Sequence, residues 1–418
     1  MLIRFYFKNF KSFKDEAMLD LSAAKMTEFA ERVVLSGGTR VLPVAAIFGA
    51  NASGKTNVYD AFGFMTSFVI RSFGYGDDEH KYEEERAVPF LFDVESENED
   101  SVFEVTFTIP GDDSGRTYNY GFGMNATGIS KEWLNSKAKT ARQFSTIYFR
   151  DGENLDMPGI PKNSRENIEV ALEKQVLIVS LGAKLKIDKC KMVRDWFFHN
   201  IFANFGDAVK NLFMSRVLPD GFVEDDKVRL NVVEFFSTFD DHIKGFEVSQ
   251  VPNEDGKSDK RYRIESLHQK EGAEKMAGIP LEEESAGTLK MFALYPALMK
   301  VLSNGSIFFV DELNARLHPL LVRNIILAFC NPEINVNHAQ LVFTAHDTWQ
   351  MSNQLLRRDE IWLTEKDAAG KSRLFSLADF EDEDGDRIRK DEFYEKNYLL
   401  GKYGAVPTLK SIQVPKLK

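Results

Sequence analysis

The segment with the clearest chemistry is a loop near the amino terminus, Gly49-Ala-Asn-Ala-Ser-Gly54-Lys55-Thr56. Its two glycines, followed by Lys and Thr, let successive backbone N–H groups turn into one hollow that can hold phosphate. We expect Lys55 to reach the β- and γ-phosphates of a nucleotide and the Thr56 hydroxyl to bind Mg²⁺. The competing interpretation is an ordinary glycine turn. The predicted nucleotide contacts in this region are Gly49, Asn51, Ser53, Gly54, Lys55, Thr56 and Asn57.

A second group of reactive residues follows an apolar run, since Ile307-Phe-Phe-Val leads directly into Asp311 and Glu312. The first carboxylate can hold Mg²⁺, and the second can orient and deprotonate an attacking water. We therefore predict a metal site at Thr56 and Asp311 and a general base at Glu312. Alone this pattern is weak, because many buried strands end in acidic residues at a solvated edge. The phosphate loop strengthens it.

A third motif, Glu284-Ser285-Ala-Gly287-Thr288, opens a predicted helix upstream of the two carboxylates. Ser285, Gly287 and Thr288 would present a hydroxyl and backbone N–H groups to an anion. An ordinary helix N-cap by Ser285 is the commoner meaning of such a sequence, so that interpretation stays open.

A histidine, His346, follows the apolar segment 341–344. It could touch the γ-phosphate and so respond to its presence. The alternative is a hydrogen-bonded surface histidine. The predicted catalytic residues are thus Lys55, Glu312 and His346.

The elements that must position these residues alternate between strands and helices. The buried run Val41–Phe48 leads into the loop, and apolar residues at helical spacing follow it. Further strands are predicted at 2–7, 89–94, 102–109, 118–124, 306–310, 340–344 and 360–364, and helical patterns at 164–213, 228–239, 289–302 and 319–330. The pair 102–109 and 118–124 predicts a hairpin. This order predicts an α/β fold with a mainly parallel core sheet.

The composition is that of a globular protein with a net charge of −11. Phosphate contacts require clustered Lys and Arg, so the charge does not indicate general nucleic-acid binding. The two cysteines, Cys190 and Cys330, have no CxxC spacing and predict neither a disulfide framework nor a zinc site. No apolar run approaches the length of a membrane helix, and we expect a cytoplasmic protein without a membrane association.

Taken in order, these motifs resemble the ABC ATPase superfamily, with Walker A at 49–56, Walker B at Asp311-Glu312, a signature motif at 284–288 and a switch histidine at His346. The segment Phe7-Lys-Asn-Phe-Lys-Ser-Phe13 is similar to the RecF/SMC-like branch. Arg357-Arg-Asp-Glu-Ile-Trp362 and Gly401-Lys-Tyr-Gly-Ala-Val-Pro407 resemble prokaryotic OLD-like, abortive-infection ATPases. The glutamine of the family's Q-loop has no counterpart between 86 and 110.

The resemblance implies an ABC-type P-loop core with an antiparallel β subdomain and a helical insertion. Its domains would be an N-terminal lobe at 1–130, a mainly helical insertion at 131–275 and a C-terminal lobe at 276–418. ATP and Mg²⁺ would be the cofactors, and ATP would be sandwiched between two protomers in a homodimer, with higher oligomers possible.

The same resemblance implies a role in defence against phage, as a sensor or scaffold for an effector. The acidic run 381–386 does not match a Toprim nuclease, so a nuclease or toxin effector would be a separate protein. The alternative is a RecF-like ATPase that binds DNA in an ATP-dependent way.

Overall fold

The computed structural model describes residues 1–75, 86–112, 114–207, 217–251, 261–381, 385 and 387–407. Its strands are β1 (Leu2–Lys8), β2 (Ala17–Asp20), β3 (Val34–Ser36), β4 (Thr39–Val41), β5 (Val44–Gly49), β6 (Ser101–Thr108), β7 (Thr117–Asn125), β8 (Gly128–Lys137), β9 (Ser145–Asp151), β10 (Asn154–Asp156), β11 (Ile201–Asn204), β12 (Ile243–Val251), β13 (Arg261–Gln269), β14 (Met276–Pro280), β15 (Ile307–Asp311), β16 (Gln340–Thr344), β17 (Ile361–Lys366) and β18 (Ser372–Ser376). Its helices are α1 (Lys55–Arg71), α2 (Lys162–Ala171), α3 (Ile178–Lys184), α4 (Asp188–Phe198), α5 (Asp226–Ser237), α6 (Ala286–Asn304), α7 (Pro319–Cys330) and α8 (Tyr394–Leu399).

A six-stranded sheet in the order β11-β15-β16-β5-β17-β18 forms the core. The five strands β11, β15, β16, β5 and β17 are parallel to their neighbours, and β18 pairs antiparallel with β17. β5, β15 and β16 are buried at every residue, as expected for strands covered on both faces. Because parallel strands end at the same edge, the residues that follow β5, β15 and β16 lie together there. The predicted α/β class with a mainly parallel core sheet is confirmed.

A seven-stranded antiparallel sheet, β10-β9-β8-β7-β6-β1-β2, forms a second layer. Its β6 and β7 pair from Ser101 opposite Met124 to Thr108 opposite Thr117. Burial along β6 alternates over most of its length, so that one face packs inward. The predicted hairpin and the predicted antiparallel β unit are therefore present.

Helix α1 lies between the two sheets and packs aromatic rings against both. The Phe62 ring centroid is 5.0 Å from that of Phe5 in β1 and 5.9 Å from that of Phe309 in β15. Two residues on, the Phe64 centroid is 5.1 Å from that of Phe103 in β6. Helices α6 and α7 contribute to a second apolar core with β15 and β16. The amino end of α1 is consequently fixed relative to the edge where β5 and β15 end.

The interval 131–275, predicted as mainly helical, is in fact mixed. It holds α2, α3, α4 and α5, but also β9, β10, β11, β12, β13 and most of β8. β11 interrupts the predicted helical stretch 164–213 and joins the core sheet beside β15. A four-residue strand inside a helical region leaves too short a pattern to recognise. β12 is exposed at five of its nine residues, so no apolar run marks it.

The predicted strand at 89–94 is also wrong, because this segment is a loop fastened to the connection between β1 and β2. The Phe90 N–H donates to Asn9 Oδ1 at 3.0 Å, and the Lys11 N–H donates to the Val88 carbonyl at 2.7 Å. These bonds use the backbone groups that a sheet would need.

Parts of two predictions lie outside the described residues, namely 208–213 of the helical stretch and 382–384 and 386 of the acidic run. Among the described helices, none combines the length and apolar character needed to cross a bilayer.

Candidate functional site: a phosphate loop and two carboxylates at the sheet edge

The phosphate loop joins the carboxyl end of β5 to the amino end of α1. Gly49 has φ +152° and Gly54 has φ +117°, in the region that favours glycine. A Cβ on Gly49 would lie 2.4 Å from the Thr364 carbonyl oxygen, and one on Gly54 would lie 2.7 Å from Ser372 Oγ. Both glycines are therefore required by close packing as well as by backbone conformation.

Lys55 is buried in the hollow of the loop, and its Nζ donates to the carbonyl oxygens of Gly49 and Ala50 at 2.8 and 2.9 Å. Burial lowers the pKa of Lys55 to about 8, while the nearby Asp311 and Glu312 raise it. Charged phosphate oxygens form stronger hydrogen bonds to an ammonium than neutral carbonyls do. A nucleotide in this hollow would therefore draw the Lys55 ammonium toward its phosphates.

Polar side chains behind the loop hold it in place. Ser53 Oγ lies 2.5 Å from Thr364 Oγ1, and the Ser53 carbonyl accepts from Ser372 Oγ at 2.7 Å. Ser372 Oγ also lies 2.7 Å from Ser12 Oγ, which accepts from Asn57 Nδ2 at 2.6 Å. The side chains of Ser53 and Asn57 thus support the loop. The same bonds give the amino-terminal Phe7–Phe13 motif a structural purpose that the sequence did not reveal.

The tip of the loop faces outward, since Asn51, Ala52 and Thr56 are exposed. Within the described part of the chain, the N–H groups of Asn51 and Ala52 have no protein acceptor. They stand beside the amino end of α1, whose dipole favours negative charge. This arrangement can hold a phosphate group.

Asp311 ends β15 at the same edge and is almost fully buried. Its Oδ1 accepts from Thr344 Oγ1 at 2.6 Å and from Thr56 Oγ1 at 3.4 Å. Burial raises the pKa of Asp311, and the bonds from Thr344 and Thr56 oppose that rise. The structure thus brings together the two predicted metal ligands, Thr56 and Asp311.

Asn204, which the sequence did not single out, is a third oxygen-bearing residue at this edge. It ends β11, and its Nδ2 donates to Asp311 Oδ2 at 3.2 Å. Mg²⁺ prefers oxygen ligands and usually takes only one or two carboxylates together with substrate phosphates. The Thr56 hydroxyl and the Asp311 carboxylate match that chemistry. Asn204 orients the carboxylate, because its own Oδ1 accepts from the Asp207 N–H at 3.1 Å. The signal was missed because β11 was predicted as helix.

Glu312 and His346 meet above this pocket. Glu312 Oε1 lies 3.3 Å from His346 Nε2, and both side chains are partly exposed. Glu312 has φ +56°, and its N–H donates to Thr344 Oγ1 at 2.9 Å. A Cβ on Gly206 would come within 2.7 Å of Glu312 Oε2, so glycine leaves room for that carboxylate. A left-handed backbone at a non-glycine residue is uncommon and occurs often at functional sites.

The signature-like residues lie apart from the phosphate loop. Ser285 caps α6, where it accepts from the Thr288 N–H at 3.1 Å and lies 2.8 Å from Thr288 Oγ1. In the described ranges, no hydrogen bond joins Ser285, Gly287 or Thr288 to residues 49–57. A Cβ on Gly287 would meet nothing closer than 3.8 Å. The helix-cap interpretation is therefore correct for Ser285 within one chain, and the amino end of α6 is open.

Two further residues link this helix to its surroundings. Glu284 accepts from His268 Nε2 of β13 at 2.7 Å. Lys290 is buried one turn into α6, donates to the carbonyls of Leu313 and Ala315, and lies 3.9 Å from the Phe205 ring centroid. Burial lowers the pKa of Lys290 to about 7. The start of α6 is thereby joined to the segment that follows the Asp311 and Glu312 carboxylates.

Solved structures with a similar arrangement include the Smc head bound to the C-winged helix domain of ScpA and the SMC head domain from Thermotoga maritima. They are 14% and 16% identical to this chain, with TM-scores of 0.43 and 0.40. Each alignment covers 90% of this chain, and 97% and 98% of the respective structure. No curated protein matches the chain significantly.

A family described as "AAA domain, putative AbiEii toxin, Type IV TA system" matches residues 44–167 and 207–348. The first range includes the phosphate loop. The second includes the open start of α6, both carboxylates and His346. They make up more than half of the 418 residues. The chain therefore belongs to this family of AAA-domain proteins.

Proposed function

We propose that the protein is a Mg²⁺-dependent ATPase whose complete catalytic site forms between two copies of the chain. One observation carries the proposal: the phosphate loop, Asp311, Glu312 and His346 lie together at the carboxyl edge of one parallel sheet. Membership of an AAA-domain family supports it.

The chain's own groups divide the work. The loop amides and Lys55 hold the phosphates, and Thr56 and Asp311 hold the metal, with Asn204 beside them. Bound Mg²⁺ would neutralise charge on the β- and γ-phosphate oxygens. Because Asp311 sits in a buried position that disfavours its charge, a cation there would stabilise the carboxylate.

Glu312 is the proposed general base, since its carboxylate is partly exposed and faces the same pocket. Thr344 fixes the Glu312 backbone, and His346 fixes one carboxylate oxygen, so the other oxygen can accept a proton from water. We propose the same residue, His346, as the sensor of the γ-phosphate, because its ring is partly exposed beside Glu312.

The open start of α6 is proposed to complete the site of a second copy, in a head-to-tail homodimer with two ATP sites. Ser285 is exposed and Gly287 has free space in front of it, so both can approach a phosphate carried by another chain. A two-fold arrangement of this kind uses both copies equally.

At the level of the cell, we propose a sensor or scaffold in defence against phage that controls a separate effector. The family's description, which names a toxin of a toxin–antitoxin system, supports this role, as do the motifs at 357–362 and 401–407. ATP-dependent pairing would provide the two states that a switch needs. A plaque assay in cells that carry the chain with its neighbouring genes would test the role: Lys55→Ala should abolish protection, and unchanged protection would contradict it.

Glu312→Gln provides the test of the catalytic assignment. Hydrolysis of ATP should fall by roughly 10²- to 10³-fold, the usual size for loss of one catalytic group. Because binding is retained, ATP should hold the variant as a dimer in analytical ultracentrifugation. The same change at the exposed Glu333, outside the site, is the control and should leave hydrolysis unchanged. Full turnover by Glu312→Gln would remove Glu312 from the role of base.

A further inference from the structure

The carboxyl-terminal segment Gly401–Pro407 returns to the phosphate loop. The Ala50 N–H donates to the Ala405 carbonyl at 3.0 Å. The same carbonyl accepts from Tyr398 Oη, also at 3.0 Å. One oxygen thus joins a tyrosine of α8 to the first residue after Gly49, although about 350 residues separate them along the chain.

This connection is built into the interior. Tyr398 is 4% exposed and Ala405 is 3% exposed. Ala405 has φ +58°, a left-handed conformation that a non-glycine residue adopts only when its surroundings hold it there. The turn is closed by the Gly401 N–H, which donates to the Tyr398 carbonyl at 2.8 Å. The Tyr398 hydroxyl is therefore one of the groups that fix where the Ala405 oxygen points.

Ala50 is the residue on which the loop's internal bonds converge. Its carbonyl accepts from Lys55 Nζ at 2.9 Å and from the Ser53 N–H at 3.2 Å. When Lys55 turns toward a phosphate, the first of these bonds weakens. The Ala405 carbonyl would then hold Ala50, and with it the start of the loop, in position.

We infer that Tyr398 is a positioning residue for the ATP site, acting through the Ala405 carbonyl on the phosphate loop. The inference rests on the proposed ATP function. The 401–407 motif is then a strap that keeps the loop ready for phosphate, and a change in α8 would reach the nucleotide through two hydrogen bonds.

Tyr398→Phe removes only the hydroxyl and is the direct test. Tyr394→Phe is the matched control, because Tyr394 is an equally buried tyrosine of α8 whose hydroxyl faces the Lys390 carbonyl instead. In Tyr398→Phe the Kd for ATP should rise by roughly three- to tenfold, the effect of one net hydrogen bond. The kcat should change less than twofold, and amide exchange in the peptide that covers the loop should be faster. Tyr394→Phe should match the wild type in all three measurements.

The possible outcomes separate the two proposals. If the wild type binds no ATP, the proposed function fails. If the wild type binds ATP and Tyr398→Phe binds it equally well with unchanged loop exchange, the strap is wrong and the proposed function stands. Equal weakening by both variants would show a general effect of α8 on stability and would also overturn the assignment of Tyr398.

Discussion

The two proposed anion sites of this chain, each of which contains glycine, are built in opposite ways. The phosphate loop is held by its own lysine, by Ser12 and Ser372 behind it, and by the Ala405 carbonyl at its start. The start of α6 carries its cap on the outside, since the exposed Ser285 accepts from the Thr288 N–H. One site is enclosed by its own chain, and the other is presented outward.

This difference fits the roles proposed for the two sites. A loop that must hold a flexible triphosphate gains from being ordered in advance, because ordering at the moment of binding would cost conformational entropy. A surface that completes another copy's site must stay accessible. The bonds of Glu284 with His268 and of Lys290 with Leu313 fix the direction of α6 from behind and leave its front free.

The largest expected effect is the recovery of ATP hydrolysis when two inactive variants are mixed, and it tests whether the two sites belong to different copies. Lys55→Ala disables the enclosed site, and Gly287→Arg blocks the open one. Each alone should reduce ATP hydrolysis by roughly 100-fold or more. In an equal mixture, random pairing puts one intact composite site in about half of the dimers, so roughly a quarter of wild-type activity should return.

Gly287→Ala is the control for the effect of a side chain at position 287 on the single chain. A Cβ at position 287 has space within the single chain, and alanine favours helix by about 1 kcal/mol over glycine, so the variant should melt no lower than the wild type. If the mixture of Lys55→Ala and Gly287→Arg recovers no activity while all variants stay folded, the open helix start does not serve a second copy.

The sequence was sufficient to predict the site residues where a chemical motif directly follows a recognisable apolar strand. The loop 49–56 and the Asp311-Glu312 pair each follow a continuous buried strand, so motif and element predict each other. Asn204, Ser12, Ser372, Thr344 and Tyr398 could not be found in this way. Their roles depend on which strands become neighbours and on where the chain returns, and no local pattern encodes that pairing.

Asn204 offers a test of the enclosed site that does not involve the second copy. Asn204→Leu has similar size and removes the amide that donates to Asp311. The concentration of Mg²⁺ needed for half-maximal hydrolysis should rise by roughly tenfold, as is usual when a supporting group near a metal is lost. The same change at the exposed Asn167 of helix α2 is the control and should leave the Mg²⁺ requirement unchanged. An unchanged Mg²⁺ requirement would exclude Asn204 from the metal site.

The smallest expected effect concerns the free energy of folding that is lost by burying the charged Lys55 when no nucleotide is bound. Its folded pKa of about 8 lies below the usual 10.5, so between these values the unfolded chain binds more protons than the folded one. The burial cost is therefore fully present below pH 8 and is relieved as the pH rises toward 10.5.

Lys55→Met keeps the shape of the stem without the charge. It should raise the free energy of unfolding by about 1 kcal/mol at pH 7, after allowance for the lost bonds to Gly49 and Ala50. Denaturant titrations of both proteins at pH 7 and pH 9.5 measure this difference, and it should shrink at the higher pH. A difference that is constant with pH would show that the enclosed lysine carries no such cost. The outward-facing α6 site provides the reference, since Ser285→Ala should lower stability by about 1 kcal/mol equally at both pH values through loss of the cap.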